Sequence, residues 1–168
     1  MDIIVFSDSH GEVEKIEEAL QRQIKKPDAV IFLGDGLRDM MNADNGDCPV
    51  YSVKGNCDTL IVSYSPDERS LALGGKKIFF THGHRYGVKS TLTPIISKAI
   101  GEGADILLFG HTHEAVEWRI DGENSLGIKI DKPLYIMNPG SIGSYPYRFG
   151  VITIDQEGRV LLSHGSLN

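Results

Sequence analysis

"IIVFSDSHGEVEKIEEALQRQIKKPDAVIFLGDG", residues 3–36, decides the fold. Two apolar runs, "IIVF" at 3–6 and "AVIFL" at 29–33, flank a polar stretch whose Val13, Ile16, Leu20 and Ile24 fall on one helical face. Near-continuous apolar runs suit strands covered on both sides. Glutamates open the intervening helix, Lys25 and Lys26 close it, and Pro27 stops it. Strand–helix–strand is the unit of a parallel α/β sheet.

The pattern extends outward. "VYSV" at 50–53, "KIFFT" at 77–81, "ILLF" at 106–109 and "LYIM" at 134–137 read as further strands. A second helix is expected over roughly 88–101, with Leu92, Ile95, Ile96, Ala99 and Ile100 as its buried stripe. Pro94 suits it only within the first turn. The back half turns antiparallel. "AVEWRIDGENSLGIKID" (115–131) gives two strand-like runs around a turn, and "GVITIDQEGRVLLSH" (150–164) a hairpin with Glu157-Gly158 at its turn. "NADNGDCP" (42–49) is loop-like but too short to divide domains. The expectation is one domain over residues 1–168, with two sheets sharing a core and helices outside.

The chain has 168 residues, 40% of them hydrophobic, enough for a sizeable core. Its formal charge of −6 argues against a long nucleic-acid partner, which favours a basic face. Cys48 and Cys57 are too few for a disulfide framework and are expected as free thiols in a reducing compartment. "MDIIVF" lacks the basic region of a signal peptide, and no apolar stretch reaches membrane-spanning length. A cytoplasmic protein without a membrane partner is expected.

The segment after each strand carries the chemistry. "SDSHG" supplies Asp8 and His10, "GDG" Asp35, "KGNCD" Asn56 and Asp58, "HGH" His82 and His84, and "GHTH" His111 and His113. Ligands of an open α/β sheet bind outside the carboxyl ends of its strands. Only His164 among the six histidines lies outside these motifs. Each motif alone matches a common turn; together they place imidazole, carboxylate and amide groups on one edge. That set suits Mn²⁺, Fe, Zn²⁺ or Ni²⁺ better than a structural cysteine-rich zinc site. Seven ligands exceed what one ion needs, so two ions sharing a carboxylate are implied. Gly34, Gly55, Gly83 and Gly110 beside the ligands fit close backbone approach.

In this order, "DSHG", "GDG", "GNCD", "THGH" and "GHTH" resemble the calcineurin-like metallophosphoesterases. The short chain, "GNCD" and the "NPGS" at 138–141 resemble most the small YfcE-like phosphodiesterase branch. The resemblance runs from Asp8 to Ser141. It implies an α/β (α+β) fold, a four-layer α/β/β/α sandwich of two mixed sheets flanked by helices. It further implies one ion held by Asp8, His10 and His113, a second held by Asn56, His82 and His111, and Asp35 bridging them. Mn²⁺ is the leading choice, with Ni²⁺, Zn²⁺, Fe²⁺ and Mg²⁺ as alternatives.

The implied activity is hydrolysis of small or short phosphodiesters by a hydroxide shared between ions about 3.5–4 Å apart. Asp35, Asn56 and His84 would be catalytic, and Asn56, Cys57, Arg85 and Ser141 would meet substrate, with Arg38 and Arg148 at the rim. Backbone N–H groups near Gly11 and Glu12 would assist. Many relatives carry a histidine after the asparagine, thought to protonate the leaving group. Cys57 stands there and is a poor acid at neutral pH, so His84 is the candidate replacement. Two other functions stay open: a protein-interaction scaffold like the retromer scaffold subunit, and a nuclease. Exposed apolar residues leave a homodimer or higher homo-oligomer open.

Overall fold

The computed structural model describes residues 1–58, 65–122 and 130–168. The chain runs β1 (Asp2–Phe6), α1 (Val13–Gln21), β2 (Ala29–Phe32), α2 (Leu37–Asn42) and β3 (Val50–Ser52). It continues with β4 (Glu68–Leu73), β5 (Lys76–Thr81), α3 (Thr93–Gly101), β6 (Ile106–Leu108) and β7 (Ala115–Ile120). β8 (Leu134–Pro139), β9 (Arg148–Ile154) and β10 (Val160–Ser166) close it. Among the described residues these strands form two five-stranded sheets, ordered β10-β9-β1-β2-β3 and β4-β5-β6-β8-β7. β1, β2 and β3 are parallel, as are β5, β6 and β8; β9, β10, β4 and β7 pair antiparallel.

Strict alternation along each parallel strand sets the layers. Ile3 and Val5, Ile31, Ile78 and Phe80, Ile106 and Leu108, and Met137 make one buried cluster shared by both sheets. The intervening Ile4, Phe6, Val30 and Phe32 pack on Ile16 and Ala19 of α1 and on Leu37 and Met40 of α2. Phe79, Leu107 and Ile136 pack on Ile95, Ile96 and Ala99 of α3. The result is the four-layer α/β/β/α sandwich. Each large side chain so buried stabilises by about 1.5–3 kcal/mol. Burial on both faces is why the central parallel strands show no polar alternation.

Several boundaries differ from expectation. α1 stops at Gln21, and Ile24, expected on its buried face, is fully exposed. Pro27 disfavours a helical Lys26, and the chain must straighten so that the Asp28 N–H bonds the Asp2 carbonyl at the mouth of β2. α3 begins at Thr93 instead of residue 88, with Pro94 in its first turn; before it, Ser90 and Thr91 donate to the Gly87 carbonyl in a turn. β4 and α2 were not anticipated. The signal for β4 was the Gly74-Gly75 pair, whose φ angles of 55° and 75° make a two-residue hairpin loop to β5. The first run of 115–131 is β7; the second falls on 123–129, outside the described residues. Glu157-Gly158 lies in the β9–β10 turn, which the Asp155 N–H closes on the Arg159 carbonyl. No helix among the described residues is long and apolar enough to cross a membrane.

Candidate metal centre

Five parallel strands, three from one sheet and two from the other, deliver their loops to a common edge. The loops are laced together by backbone. Asp8 N–H donates to the Gly34 carbonyl at 2.9 Å and His10 N–H to the Asp35 carbonyl at 3.3 Å. Gly34 lies at φ +98°, and a Cβ there would sit 2.4 Å from the Gly55 nitrogen. A Cβ at Gly110 would sit 2.0 Å from Ser7 Oγ. Only glycine lets these loops close to this distance.

Strain collects on the polar residues themselves. Asp8, His10, Asp35, His111 and His113 all have left-handed backbone, at φ 56°, 46°, 56°, 69° and 61°. Each such conformation costs a non-glycine residue on the order of 1 kcal/mol or more.

Two groups of ligand atoms result. In the first, Asp8 Oδ1 faces His113 Nε2 at 3.1 Å and His10 Nε2 at 3.8 Å, while the two imidazole nitrogens stand 3.4 Å apart. The other Asp8 oxygen is committed: Oδ2 accepts from Ser7 Oγ at 2.5 Å and from the His111 N–H at 3.0 Å. Asp8 Oδ1 is wholly buried and accepts no hydrogen bond. In the second group, His82 Nε2 faces Asn56 Oδ1 at 3.2 Å, His111 Nδ1 at 3.2 Å and Asp35 Oδ2 at 3.4 Å.

The tautomer of His82 decides what this second arrangement accepts. Its Nδ1–H donates to the Leu33 carbonyl at 2.8 Å, so in the neutral ring Nε2 carries a lone pair. A lone pair then points at an amide oxygen, a carboxylate and a second imidazole nitrogen. A cation satisfies such a set, and a bare carboxylate oxygen among imidazoles asks for the same. The residues fit divalent metal, and neutral oxygen and nitrogen donors fit borderline ions.

Electrostatics agree. Burial opposes charge on His82, yet Asp35 and Asp8 more than offset it and hold the ring above its ordinary value. A proton on Nε2 is then the smallest cation able to fill the gap. Burial would raise Asp35, but His82 and the Cys57 N–H, 2.7 Å from Asp35 Oδ1, bring it well below the usual carboxylate range. Burial lowers His111 and His84, and the neighbouring His82 lowers both further. Burial together with Asp35 pushes the Cys57 thiol up to about 11.

The remaining expected residues take varied places. Asp58 lies off the cluster: its carboxylate accepts the backbone N–H groups of Asp35, Gly36, Leu37 and Gly55 and pins the β2 loop to the β3 loop. Ser141 is 3% exposed, and its hydroxyl donates to the Asp8 carbonyl at 2.8 Å, so it holds the Asp8 loop from beneath. Arg85 is drawn aside by Asp67, Nε to Oδ1 at 3.2 Å. Gly11 and Glu12 have no backbone N–H to offer, because Asp39 Oδ2 and the Ser9 carbonyl already accept them. His84 stays beside the cluster, its ring 5.3 Å from His82 and 6.1 Å from His111, with a buried Nδ1 that makes no hydrogen bond. Arg148 is exposed at the start of β9. Arg38 lines a cavity of about 270 Å³ with His10, Gly11, Asp35, Gly36, Asp39, Cys57 and Asp58.

Two supporting residues were missed. Asn138 is fully buried and donates from Nδ2 to the Gly110 carbonyl and Thr112 Oγ1, both at 3.0 Å, fixing the loop that carries His111 and His113. Its place at the head of "NPGS" was the available signal. Ser7, which anchors Asp8, gave none.

The family model described as the calcineurin-like phosphoesterase superfamily domain matches residues 1–157. The chain belongs to that superfamily. It is 34% identical over 142 residues to Probable metallophosphoesterase YsnB of Bacillus subtilis (strain 168), covering 84% of this chain and 75% of YsnB. A Streptococcus pneumoniae TIGR4 protein described as a predicted phosphoesterase superposes with a TM-score of 0.72 at 29% identity, covering 98% of this chain and 97% of that one. Vps29 of Entamoeba histolytica, in a complex with Zn²⁺, shares the fold at a TM-score of 0.64 and 20% identity over the whole of both chains. Membership supports a metal-dependent hydrolase acting on phosphoesters.

Proposed function

We propose that this superfamily member is a phosphodiesterase that uses two divalent ions, Mn²⁺ foremost, on small or short phosphodiesters. The observation that carries the two-ion reading is a pair of adjoining ligand clusters: the buried, unbonded Asp8 Oδ1 with His10 and His113, and His82 Nε2 with Asn56 Oδ1, His111 Nδ1 and Asp35 Oδ2. Asp8, His10 and His113 would hold one ion and Asn56, His82 and His111 the other, with Asp35 shared. Such a pair supplies Lewis-acid activation of water and a grip on phosphate oxygens.

The chain's own residues prepare that chemistry. Ser7 and the His111 N–H aim Asp8, the Leu33 carbonyl fixes the His82 tautomer, and the Cys57 N–H aims Asp35. Held this way, the donors need no rearrangement as charge develops. Proton delivery to the leaving group falls to His84. Burial and His82 hold that ring below its ordinary value, so it donates from the small fraction protonated at neutral pH. The Cys57 thiol, pushed up to about 11, holds its proton too tightly at neutral pH. Small diesters suit the open cavity beside Arg38, whereas the net charge of −6 disfavours duplex DNA.

A cytoplasmic setting and free thiols remain part of this proposal. The second reading is a non-catalytic scaffold, favoured by the shared fold with Vps29. A chromogenic diester separates the two: Mn²⁺-loaded protein should hydrolyse it and metal-stripped protein should not. Absence of turnover with any divalent ion, despite measured metal binding, would favour the scaffold. Cleavage of duplex DNA more efficient than that of small diesters at physiological salt would favour a nuclease.

A further inference from the structure

His10, Asp35 and Cys57 form a third grouping, with one ligand atom of each within 4.8 Å of the others. It takes His10 from one of the two positions described, together with the shared Asp35, and it adds sulfur. The placement of the thiol is built in. Cys57 N–H donates to Asp35 Oδ1 at 2.7 Å, and Asn56 Nδ2 donates to Cys57 Sγ at 3.2 Å. Cys57 is exposed, and all three residues line the same cavity of about 270 Å³. The wholly buried, unbonded Asp8 Oδ1 lies 3.8 Å from His10 Nε2, and this carboxylate oxygen favours a cation beside that ring. Thiolate selects soft ions such as Cd²⁺ and Zn²⁺ over Mn²⁺ and Mg²⁺.

We propose that His10, Asp35 and Cys57 form a thiolate-containing position for a soft divalent cation, overlapping and competing with the two-ion arrangement. On binding, the Cys57 S–H bond breaks, a sulfur–metal bond forms, and the proton leaves to solvent; nothing is oxidised or reduced. A soft ion so placed withdraws His10 from one position and the shared Asp35 from both. The same centre is thereby closed by ions that prefer sulfur.

Cd²⁺ titration of metal-stripped protein, followed by thiolate-to-cadmium charge-transfer absorption in the ultraviolet, tests this. One saturable band per chain is expected. Cys57→Ser should abolish it, and Cys48→Ser should leave it, because Cys48 is buried and its thiol is turned to the Pro27 carbonyl. His10→Ala and Asp35→Asn keep the thiol and should each weaken Cd²⁺ by at least about 10-fold. Circular dichroism confirms which variants fold, and either of the last two suffices. No band in the wild type, or a band of unchanged affinity in the folded His10→Ala or Asp35→Asn protein, overturns the proposal. The inference rests on the two-ion reading only for its inhibitory consequence. A missing band with normal Mn²⁺-dependent turnover defeats the soft-ion position alone; a band without Mn²⁺ turnover supports it while defeating the assigned activity.

Discussion

At the carboxyl ends of the parallel strands, left-handed backbone is carried by Asp8, His10, Asp35, His111 and His113 alongside glycines such as Gly34; at the opposite end it falls to Gly74, Gly75, Gly103 and Gly158, with Asp47 the one non-glycine among the described residues there. Both ends need sharp reversals. Where a turn is all that is needed, glycine makes it without strain. Where the reversal must also present an imidazole or carboxylate, the chain keeps a strained residue, at on the order of 1 kcal/mol or more each. The tight fold around those residues holds them in place: Gly34 against Gly55, and Gly110 against Ser7. Strain concentrated on five ligand-type residues at one end, against one residue at the other, marks the first end as the working one.

The sharpest way to break this contrast is to change a ligand without changing its shape. Asp35→Asn tolerates left-handed backbone and should stay folded, yet turnover should fall at least about 10³-fold, roughly 4 kcal/mol in the barrier. Steady-state kinetics with saturating Mn²⁺ check it. Gly34→Ala should do the reverse, harming the fold itself. A Cβ 2.4 Å from the Gly55 nitrogen, at φ +98°, should cost about 3–4 kcal/mol in denaturant unfolding. A smaller effect is expected at His84. His84→Ala should slow alkyl diesters by roughly 10²-fold more than nitrophenyl diesters, which barely need a proton donor. Equal slowing with metal content intact would make His84 a phosphate-positioning group.

A milder test addresses strain directly. His10→Gly should leave metal-free stability within about 1 kcal/mol of the wild type, or above it, because strain relief offsets added chain entropy. A comparable loss at both ends of the sandwich would erase the contrast. Smallest of all is Asp105, at the far end. Burial would raise it, but Lys132 at 2.7 Å and the Lys77 N–H at 2.7 Å lower it. Its contribution is therefore present above the ordinary aspartate value and lost as pH falls through the depressed one. Asp105→Asn should flatten the acid side of the stability curve by less than about 1 kcal/mol.

The layers were legible because two-sided burial leaves long apolar runs, and the ligand edge because every such run ended in a polar motif. Less visible was anything held by backbone. That Asp58 would pin two loops, or that Ser141 would hold Asp8 from below, depends on which N–H and C=O groups converge in space. β4 was hidden by a mixed pattern in "ERSLAL", with only Gly74-Gly75 to betray the hairpin. Ile24 shows the limit of helical periodicity, which continued past the point where Pro27 and the entry to β2 end the helix.

On the proposed reading, loops from both sheets build one centre for two ions. Mn²⁺ titration of metal-stripped protein by equilibrium dialysis, with diester turnover read at each step, tests it most directly. Two ions per chain are expected, with activity rising as the second binds, and one ion should be lost in Asp8→Asn, from the first sheet, and one in His82→Ala, from the second. Saturation at a single ion per chain, or full activity with only one bound, would contradict it.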